Sequence, residues 1–240
     1  MTDEYGVQEL MAVFLARDLN DGELLRVGVA MPVAEAAVRL AHLTRGPNME
    51  LVFLGARMNV ADLETIPMPA FGWDRRVVRW SESYSDTGHR FDRLKDWSNH
   101  VFFIGGIQVD RFGNINSTWI PPRPFLVGSG GGNDVASTAA ENVIVATLTK
   151  QRTVAECAYV TSPGNHVEAL VTDLATFEKR DGVLQVSALA PGVSFDDVRA
   201  LCGWQLEPPT NGLPVLDEPT SDEVTALRRW DPRGWFLRAR

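Results

Sequence analysis

Residues 128–134 have the composition of a loop that binds a ligand through its backbone. The segment, called the glycine loop below, reads GSGGGND, and a stretch predicted to be helical follows it. Because glycine has no Cβ, the backbone of such a loop turns sharply and lets a ligand approach closely. Amide N–H groups left uncovered in this way bind anions or stabilise a developing oxyanion. The alternative interpretation of the same glycines is a tight turn between a strand and a helix, with no ligand.

The other residue patterns that carry chemistry are absent or incomplete. A dinucleotide-binding G-x-G-x-x-G would need glycine at position 133, where the chain has Asn133. The four histidines and the two cysteines, Cys157 and Cys202, lack metal-ligand spacing, so no metal site is predicted. The sequence contains neither a G-x-S-x-G nucleophile elbow nor a G-x-x-x-x-G-K-[ST] phosphate loop. The glycine loop is therefore the leading candidate for a functional site.

Composition narrows the class of protein and its partners. The chain has 240 residues and a formal net charge of −8, which disfavours DNA or RNA as a partner. With only two cysteines, the chain suits a reducing compartment, and this count excludes a disulfide scaffold. No apolar run approaches the roughly 20 residues that a membrane span needs, and the acidic first ten residues do not resemble a signal peptide. We therefore expect a cytoplasmic protein with neither a nucleic acid nor a membrane as its partner.

Hydrophobic periodicity predicts alternating helices and strands in the first hundred residues. Apolar residues at helical spacing from Val7 to Leu15 predict a first helix, and Pro32 begins a second that ends before Pro47. Apolar runs predict strands at residues 24–30, 49–54 and 100–104. Such alternation of helices with apolar strands is typical of α/β proteins. We predict a single α/β domain over residues 1–240, with an open, mostly parallel sheet covered by helices on both faces.

Turn-forming residues organise the second half of the chain. Asp110, Gly113 and Asn114 fit a hairpin turn, and this favours local hydrogen bonding of these residues and Gln108 over contact with a substrate. The S/T-x-x-E pattern at residues 220–223 is a capping box and predicts a final helix. The remaining predicted elements are strands at residues 143–148, 154–160, 169–177 and 183–189 and a helix at residues 194–203.

Five runs of residues, taken together, resemble one protein family. They are GPNM at residues 46–49, FIGGIQVDRFGNINST at 103–118, GSGGGND at 128–134, TDLATFE at 172–178 and APGV at 190–193. In order and spacing these runs resemble the β subunits of class I CoA-transferases, and within them the β subunit of the glutaconate CoA-transferase type. The resemblance extends over nearly the whole chain.

The resemblance implies the fold, the substrate class and a partner. In this family a β subunit with an open α/β sheet pairs with a homologous α subunit, as a heterodimer or heterotetramer. An acyl-CoA thioester binds where the two subunits meet. Coenzyme A is then part of the substrate, and no separately bound cofactor is implied. The glycine-loop residues that correspond to substrate-binding positions are Gly128, Ser129, Gly132 and Asn133, with Gly130 and Gly131 on the oxyanion side.

The family pattern breaks at the position of the catalytic glutamate. In the family's transferases, a β-subunit glutamate attacks the thioester, forming an acyl anhydride and then a glutamyl-CoA thioester. Alignment on the preceding Pro-Asn pair places Leu54 and Gly55 at the glutamate and the residue after it, and residues 53–59 contain no carboxylate. Leucine has no atom that attacks a thioester, so Leu54 and Gly55 are predicted to line the substrate site. Arg57 is a candidate for binding a substrate carboxylate.

Family members that lack this glutamate resemble enzymes with changed chemistry. One group hydrolyses a C–C bond in a ring of a steroid-derived acyl-CoA, and another decarboxylates an unsaturated dicarboxylic acyl-CoA. The resemblance therefore implies a β subunit of a transferase-derived hydrolase or decarboxylase. One alternative is an ordinary CoA-transferase that uses a shifted carboxylate at Glu50, Asp62 or Glu64. The other is a non-catalytic scaffold subunit that binds acyl-CoA, although a scaffold has no need for the bare N–H groups of the glycine loop.

Overall fold

The computed structural model describes residues 5–53, 56–58, 81–84, 100–208, 211–234 and 237, with the backbone alone at 56–58 and 81–84. The contacts within the chain divide it into two compact units. The first unit is Met1–Phe103 together with Glu218–Arg240, and the second unit is Ile104–Asp217. The single domain expected over residues 1–240 stays a prediction.

The described chain begins with alternating helices and strands and continues with runs of consecutive strands. In chain order they are α1 (Val7–Asp18), β1 (Leu24–Val27), α2 (Pro32–Thr44), β2 (Glu50–Phe53), β3 (Ala56–Met58), β4 (Ser81–Tyr84), β5 (Val101–Ile104), β6 (Gln108–Asp110), β7 (Ile115–Asn116), α3 (Gly132–Thr138), β8 (Glu141–Val145), β9 (Thr153–Val154), β10 (Val167–Val171), β11 (Ala175–Arg180), β12 (Val183–Leu189), α4 (Phe195–Leu201) and α5 (Ser221–Trp230).

Strand β1 is central to the sheet of the first unit because it pairs in parallel with β2 on one side and with β5 on the other. Leu25 of β1 lies opposite Leu51 of β2 and opposite Val101 of β5. Strands β3 and β4 extend this sheet beyond β2 by antiparallel pairing. Leu25 and Leu51 are buried, which accounts for the apolar runs that predict these strands in the sequence.

Helices α1 and α2 pack against each other in the first unit. Every residue of α1 from Leu10 to Ala16 is buried. Helix α2 begins at Pro32, as predicted, because the fixed φ and missing N–H of proline suit the first turn of a helix. The predicted end of this helix before Pro47 is also confirmed, since α2 stops at Thr44.

The second unit contains a larger and a smaller set of strands. Strands β8 and β10 pair in parallel, and β11 and β12 continue outward from β10 as antiparallel neighbours. Strand β6 pairs with β7 on one side and with β9 on the other. The predicted hairpin is confirmed, because β6 and β7 are antiparallel, with Gln108 opposite Asn116.

Four predicted strands differ from the structure in extent. The strand predicted at residues 24–30 ends at Val27, and the strand predicted at residues 143–148 is Glu141–Val145. The strand predicted over residues 154–160 is wrong beyond Val154, where β9 ends and the amide of Cys157 donates to the buried carboxylate of Asp110. The run predicted as one strand over residues 169–177 is the hairpin of β10 and β11. At its turn the Thr172 hydroxyl accepts the amide of Ala175, and this local bond interrupts the apolar run.

The predicted α/β fold with an open, mostly parallel sheet is confirmed. Within the larger strand set of each unit the inner pairs are parallel and the antiparallel pairs lie on the outside. None of the helices within the described ranges is long and apolar enough to cross a membrane.

Helix α5 closes the first unit through a charged contact with α1. Its capping box is formed as predicted: the Thr220 hydroxyl accepts the amide of Glu223, and the Glu223 carboxylate accepts the amide of Thr220. The same carboxylate accepts two hydrogen bonds from the Arg17 guanidinium, at 3.0 and 2.7 Å. Burial raises the pKa of Glu223, but the hydrogen bonds from Arg17 and Thr220 outweigh burial and hold the pKa below its usual value.

We expect Glu223→Gln to lower the free energy of unfolding by about 1 kcal/mol at neutral pH, because it removes charge-assisted hydrogen bonds at a partly exposed site. A carboxyl whose folded pKa is depressed stabilises the fold above its unfolded pKa, and this stabilisation is lost as pH falls through the folded pKa. The difference between wild type and variant should therefore begin to shrink as pH falls below the usual pKa of glutamate, about 4.3, and should disappear once pH lies below the depressed folded pKa. Denaturant unfolding across this pH range measures it.

Glu178→Gln is the matched control, since the Glu178–Arg180 pair is more than half exposed on both sides. Exposed pairs contribute little, so this control should change the free energy of unfolding by less than about 0.5 kcal/mol. A Glu223→Gln loss that persists unchanged at pH 3 would contradict the assignment to the ionised carboxylate.

Candidate functional site

The glycine loop holds several backbone amides away from internal partners. Gly128 and Gly130 adopt φ of +94° and +52°, the left-handed region that glycine enters without strain. The Gly132 amide donates to the Ser129 carbonyl at 2.8 Å, which closes a tight turn immediately before α3. Within the described part of the chain, the amides of Ser129, Gly130 and Gly131 have no hydrogen-bond acceptor. Three consecutive N–H groups are therefore available to a ligand.

Gly131 and Asn133 differ from their neighbours in ways that bear on binding. Gly131 is the N-cap of α3 with φ −94° and ψ 7°, so its own backbone angles do not require glycine. The side-chain oxygen of Asn133 is buried and has no hydrogen-bond donor among the described residues. This oxygen is covered by the protein, so the groups that the loop offers to a ligand are the three bare amides.

The start of the glycine loop is anchored by a segment ten residues earlier in the chain. The Ser117 carbonyl accepts the amides of Val127 and Gly128, at 3.2 and 3.0 Å. The Ser117 amide in turn donates to the hydroxyl of Thr161 at 2.8 Å. Thr118 shares a hydroxyl–hydroxyl hydrogen bond with the same Thr161. These bonds hold three segments side by side and fix where the loop begins.

Asn116 fixes the turn that carries this anchor. Its side-chain amide donates to Gln108 Oε1 at 2.9 Å and to the carbonyl of Trp119 at 2.8 Å. Its oxygen accepts the amides of Thr118 and Trp119. Asn116 is fully buried; its bond to Gln108 is buried as well, and its bonds to Thr118 and Trp119 are partly buried. Gln108 and Asn116 therefore support the loop rather than offering free groups to a substrate.

Asp110 organises the hairpin next to this turn. One carboxylate oxygen accepts the amides of Phe112 and Asn114, and the other accepts the Asn114 side chain and the amide of Cys157. The Asn114 oxygen accepts the amide of Gly164 at 2.9 Å. A Cβ on Gly164 would lie 2.3 Å from the carbonyl oxygen of Phe112, so only glycine permits this approach. The structure assigns Asp110, Gly113 and Asn114 to local hydrogen bonding, as the sequence favours.

The Cys157 thiol belongs to this support and does not act as a nucleophile. Burial, and next the negative charge of Asp110, raise the pKa of Cys157 to about 12. The thiol therefore stays protonated at neutral pH, and the thiolate is the reactive form. Its Sγ donates to the carbonyl of Asn114.

Exposed apolar side chains cluster on the segments that anchor the loop. Phe125 and Val127 are 66% and 76% exposed. A Cβ on Gly128 would lie 3.1 Å from the ring of Phe125, so this ring lies beside the loop. We call the group the apolar patch; its members are Trp119, Phe125, Val127, Tyr159 and Val160. These side chains lie on the segments that the hydrogen bonds of Ser117 join, and exposed apolar side chains grouped in this way favour an interaction site.

The remaining site residues predicted from the sequence lie in the first unit. Leu54 and Gly55 are outside the described residues, and so are the alternative carboxylates Asp62 and Glu64. Arg57 lies in β3, where only the backbone is described. Glu50, the third alternative carboxylate, is the first residue of β2, opposite Leu24 of β1. Across the described ranges, no group of three or more His, Cys, Asp or Glu side chains is placed to hold a metal ion.

Sequence reasoning missed the residues that anchor the loop. Ser117 and Thr118 end the run that carries the family resemblance, and their position in this run is a signal that they matter. Thr161 gives no such signal, because it lies 44 residues from Ser117 and is brought there only by folding.

Comparison with known proteins gives consistent matches over most of the chain. The family model for coenzyme A transferase matches residues 8–201. The β subunit of the 3-oxoadipate CoA-transferase of Pseudomonas knackmussii is 30% identical, over 95% of this chain and 94% of that protein.

Two solved structures share the fold of this chain. The glutaconate coenzyme A-transferase of Acidaminococcus fermentans matches with a TM-score of 0.86 and 21% identity, over 99% of this chain and 100% of that chain. The decarboxylase AibA/AibB matches with a TM-score of 0.83 and 21% identity, over 98% and 100%. At such identities the likeness concerns the fold.

We expect Asp110→Asn to lower the free energy of unfolding by roughly 2–4 kcal/mol. The variant side chain keeps one acceptor oxygen, and its NH₂ group faces donors, so at least two buried N–H groups lose their acceptor. Denaturant unfolding measures the loss. The matched control is Asp181→Asn in the exposed turn between β11 and β12, where φ of +52° is tolerated by asparagine. Equal stability of the two variants would contradict the role of Asp110.

Proposed function

Since the chain belongs to the coenzyme A transferase family, we propose that it is the β subunit of a heteromeric enzyme that acts on an acyl-CoA thioester. In this proposal the glycine loop stabilises negative charge on the thioester oxygen. The observation that carries the proposal is the run of three amides, Ser129, Gly130 and Gly131, without an acceptor in the described chain. Such donors are effective because they are fixed before the reaction starts.

Gly130 and Gly131 are the proposed oxyanion donors. Gly128, Ser129, Gly132 and Asn133 would line the rest of the substrate site. The side-chain oxygen of Asn133 is buried, so in this proposal Asn133 shapes the wall of the site and does not pair with the substrate through this oxygen. No step of the proposed reaction uses a separately bound cofactor, because coenzyme A enters with the substrate.

Leu54 determines which reaction is proposed. A hydrocarbon side chain has no lone pair with which to attack a thioester, so transfer through a glutamyl-CoA intermediate is not available at this position. Stabilisation of an enolate-like charge at the thioester does not need that nucleophile. We therefore favour hydrolysis of a C–C bond, as in ring opening, or decarboxylation. One structural neighbour, AibA/AibB, is a decarboxylase. In this proposal Gly55 and Arg57 line the acyl site, with Arg57 binding a carboxylate.

Electrons and atoms balance in both reactions. In decarboxylation the C–CO₂ bond breaks, its electron pair enters the thioester enolate, and a proton then adds to carbon. In hydrolytic opening water adds OH to a ring carbonyl carbon. The adjacent C–C bond breaks, and its electron pair is again held as the enolate until a proton arrives. Both intermediates place negative charge on the oxygen that the loop amides would face.

The partner in this proposal is a homologous α subunit. The relative from Pseudomonas knackmussii is one subunit of a CoA-transferase, and the name of the structural neighbour AibA/AibB gives two components. The apolar patch supports such a partner because its exposed side chains flank the glycine loop, where a covering subunit would exclude water from the site. We propose that the active site is shared with this partner, which supplies the acid–base group.

Replacing Gly131 with valine tests the role of the loop. The branched side chain should block close approach of the thioester oxygen, and we expect kcat of the assembled complex to fall on the order of 10²- to 10³-fold, the effect of losing one oxyanion donor. Steady-state kinetics of the complex with its α subunit measure the loss.

Ala140→Val is the matched control, because it places the same side chain at an exposed position just after α3, beyond the loop. This control should keep kcat within about twofold of wild type. A Gly131→Val complex that assembles and retains wild-type turnover would show that the loop is only a turn, as a scaffold subunit predicts.

Borohydride trapping tests whether this chain forms a covalent intermediate. Borohydride reduces a glutamyl-CoA thioester, so a CoA-transferase is modified only after acyl-CoA is added. We expect the chain to remain unmodified by mass spectrometry after incubation of the complex with 3-oxoadipyl-CoA or glutaconyl-CoA and then borohydride. Leu54→Glu restores a carboxylate at the family position and serves as the comparison for trapping. A CoA-dependent mass change on Glu50, Asp62 or Glu64 of the wild-type chain would establish ordinary CoA transfer instead.

A further inference from the structure

Ser162, the residue after Thr161, brings a further hydroxyl to the glycine loop. A Cβ on Gly132 would lie 3.4 Å from Ser162 Oγ, which is an ordinary contact distance. Gly132 is the first residue of α3 and directly follows Gly131, one of the proposed oxyanion donors. Ser162 and the glycine loop both belong to the second unit of the chain. The hydroxyl of Ser162 therefore lies beside the proposed thioester site.

The backbone of Ser162 is fixed by strand β7. Ser162 and Ile115 form an antiparallel bridge, in which the Ser162 amide donates to the Ile115 carbonyl at 3.0 Å and the Ile115 amide donates to the Ser162 carbonyl at 2.9 Å. The Thr161 amide donates to the same carbonyl of Ile115 at 2.8 Å. With its backbone fixed, the Ser162 side chain is left with a few staggered rotamers and with rotation of its hydroxyl hydrogen.

The hydroxyls of Thr161 and Ser162 differ in what they bond. The Thr161 hydroxyl is used within the fold, by the Ser117 amide and the Thr118 hydroxyl. The Ser162 hydroxyl has no hydrogen-bond partner among the described residues. Ser162 is 3% exposed, yet its Oγ is not one of the unpaired polar atoms that the protein covers completely. The structure thus holds a nearly buried hydroxyl that is unpaired and still reachable at the loop.

An unpaired hydroxyl in such a place indicates a partner from outside the chain. Burial deprives a hydroxyl of the hydrogen bonds that it forms with water, so native proteins pair such groups or use them for binding. In the proposed function the molecule at the loop is an acyl-CoA whose thioester oxygen gains negative charge. That oxygen is an acceptor, and a serine hydroxyl rotates freely enough to donate to it.

We infer that the Ser162 hydroxyl donates a hydrogen bond to the thioester oxygen of the bound acyl-CoA, in addition to the loop amides. Ser162 is then a substrate-binding donor that keeps its own proton and forms no covalent bond. The inference rests on the proposed function, because that function places the thioester at the glycine loop.

Two coenzyme A derivatives test the contact by calorimetric titration of the complex of this chain with its co-expressed α subunit. They are acetyl-CoA and S-ethyl-coenzyme A, in which a methylene group replaces the thioester carbonyl. The wild-type complex should bind acetyl-CoA more tightly, because only acetyl-CoA has the acceptor oxygen. In Ser162→Ala the dissociation constant of acetyl-CoA should rise roughly 2- to 10-fold, while that of S-ethyl-coenzyme A should stay within about twofold.

Two results of this titration would overturn the inference. Unchanged affinity of Ser162→Ala for acetyl-CoA would show that the hydroxyl does not touch the thioester. Equal weakening of both derivatives would place the hydroxyl against another part of coenzyme A.

Ser187→Ala is the matched control, because it removes a serine hydroxyl from β12, where that hydroxyl pairs with Thr176 of β11. It should leave both dissociation constants unchanged. Denaturant unfolding of the complex separates binding from a structural role. Ser162→Ala should keep the wild-type midpoint, since no hydrogen bond within the described chain is lost. A clearly lower midpoint would assign the hydroxyl to the fold and overturn the inference.

Gly131→Val distinguishes failure of this inference from failure of the proposed function. Loss of the preference for acetyl-CoA in Gly131→Val but not in Ser162→Ala would leave the proposed function standing and reject the role of Ser162. A wild-type complex that binds both derivatives equally would contradict both, because no group at the loop would then hold the thioester oxygen.

Discussion

The buried carboxylate of Asp110 is the constraint on which the architecture around the glycine loop depends. It is fully buried and accepts four N–H groups, from Phe112, twice from Asn114, and from Cys157. A buried charge is tolerated only when its hydrogen-bonding capacity is filled, and this requirement sets the path of the hairpin and of the chain at Cys157. The strand predicted beyond Val154 fails for the same reason, because the Cys157 amide is used by this carboxylate.

From this hairpin a continuous set of hydrogen bonds leads to the glycine loop. Asn116 is the last residue of β7, and hydrogen bonds of its side chain fix the turn that follows. The carbonyl of Ser117, the next residue, then accepts the amide of Gly128. Asn116 is fully buried and Ser117 and Gly128 are partly buried, and their hydrogen bonds leave little freedom at the first residue of the loop. Among the described residues, the amides of the next three loop residues have no acceptor, and donors fixed in advance stabilise developing charge without reorganisation. The polar residues between positions 108 and 118 thus support the loop, and their side chains form hydrogen bonds within this support.

Local chemistry decided what could be predicted from the sequence. The hairpin at Gly113, the start of α2 at Pro32 and the capping box at Thr220 were predictable because each depends on residues within four positions of one another. The glycine loop was predictable for the same reason. Thr161 was not, because its role exists only after folding brings it to Ser117.

The same logic explains how one scaffold serves different reactions in the proposed function. Amides that stabilise charge on a thioester oxygen act on that charge whatever bond has broken to produce it. The nucleophile, in contrast, decides whether a covalent intermediate forms. In the proposed function, leucine at position 54 takes the place of the nucleophile, and Leu54 is not among the residues whose hydrogen bonds lead from Asp110 through Ser117 to the loop. In this proposal a change at one side chain redirects the chemistry, while the interactions that fix the loop, which involve many residues, stay in place.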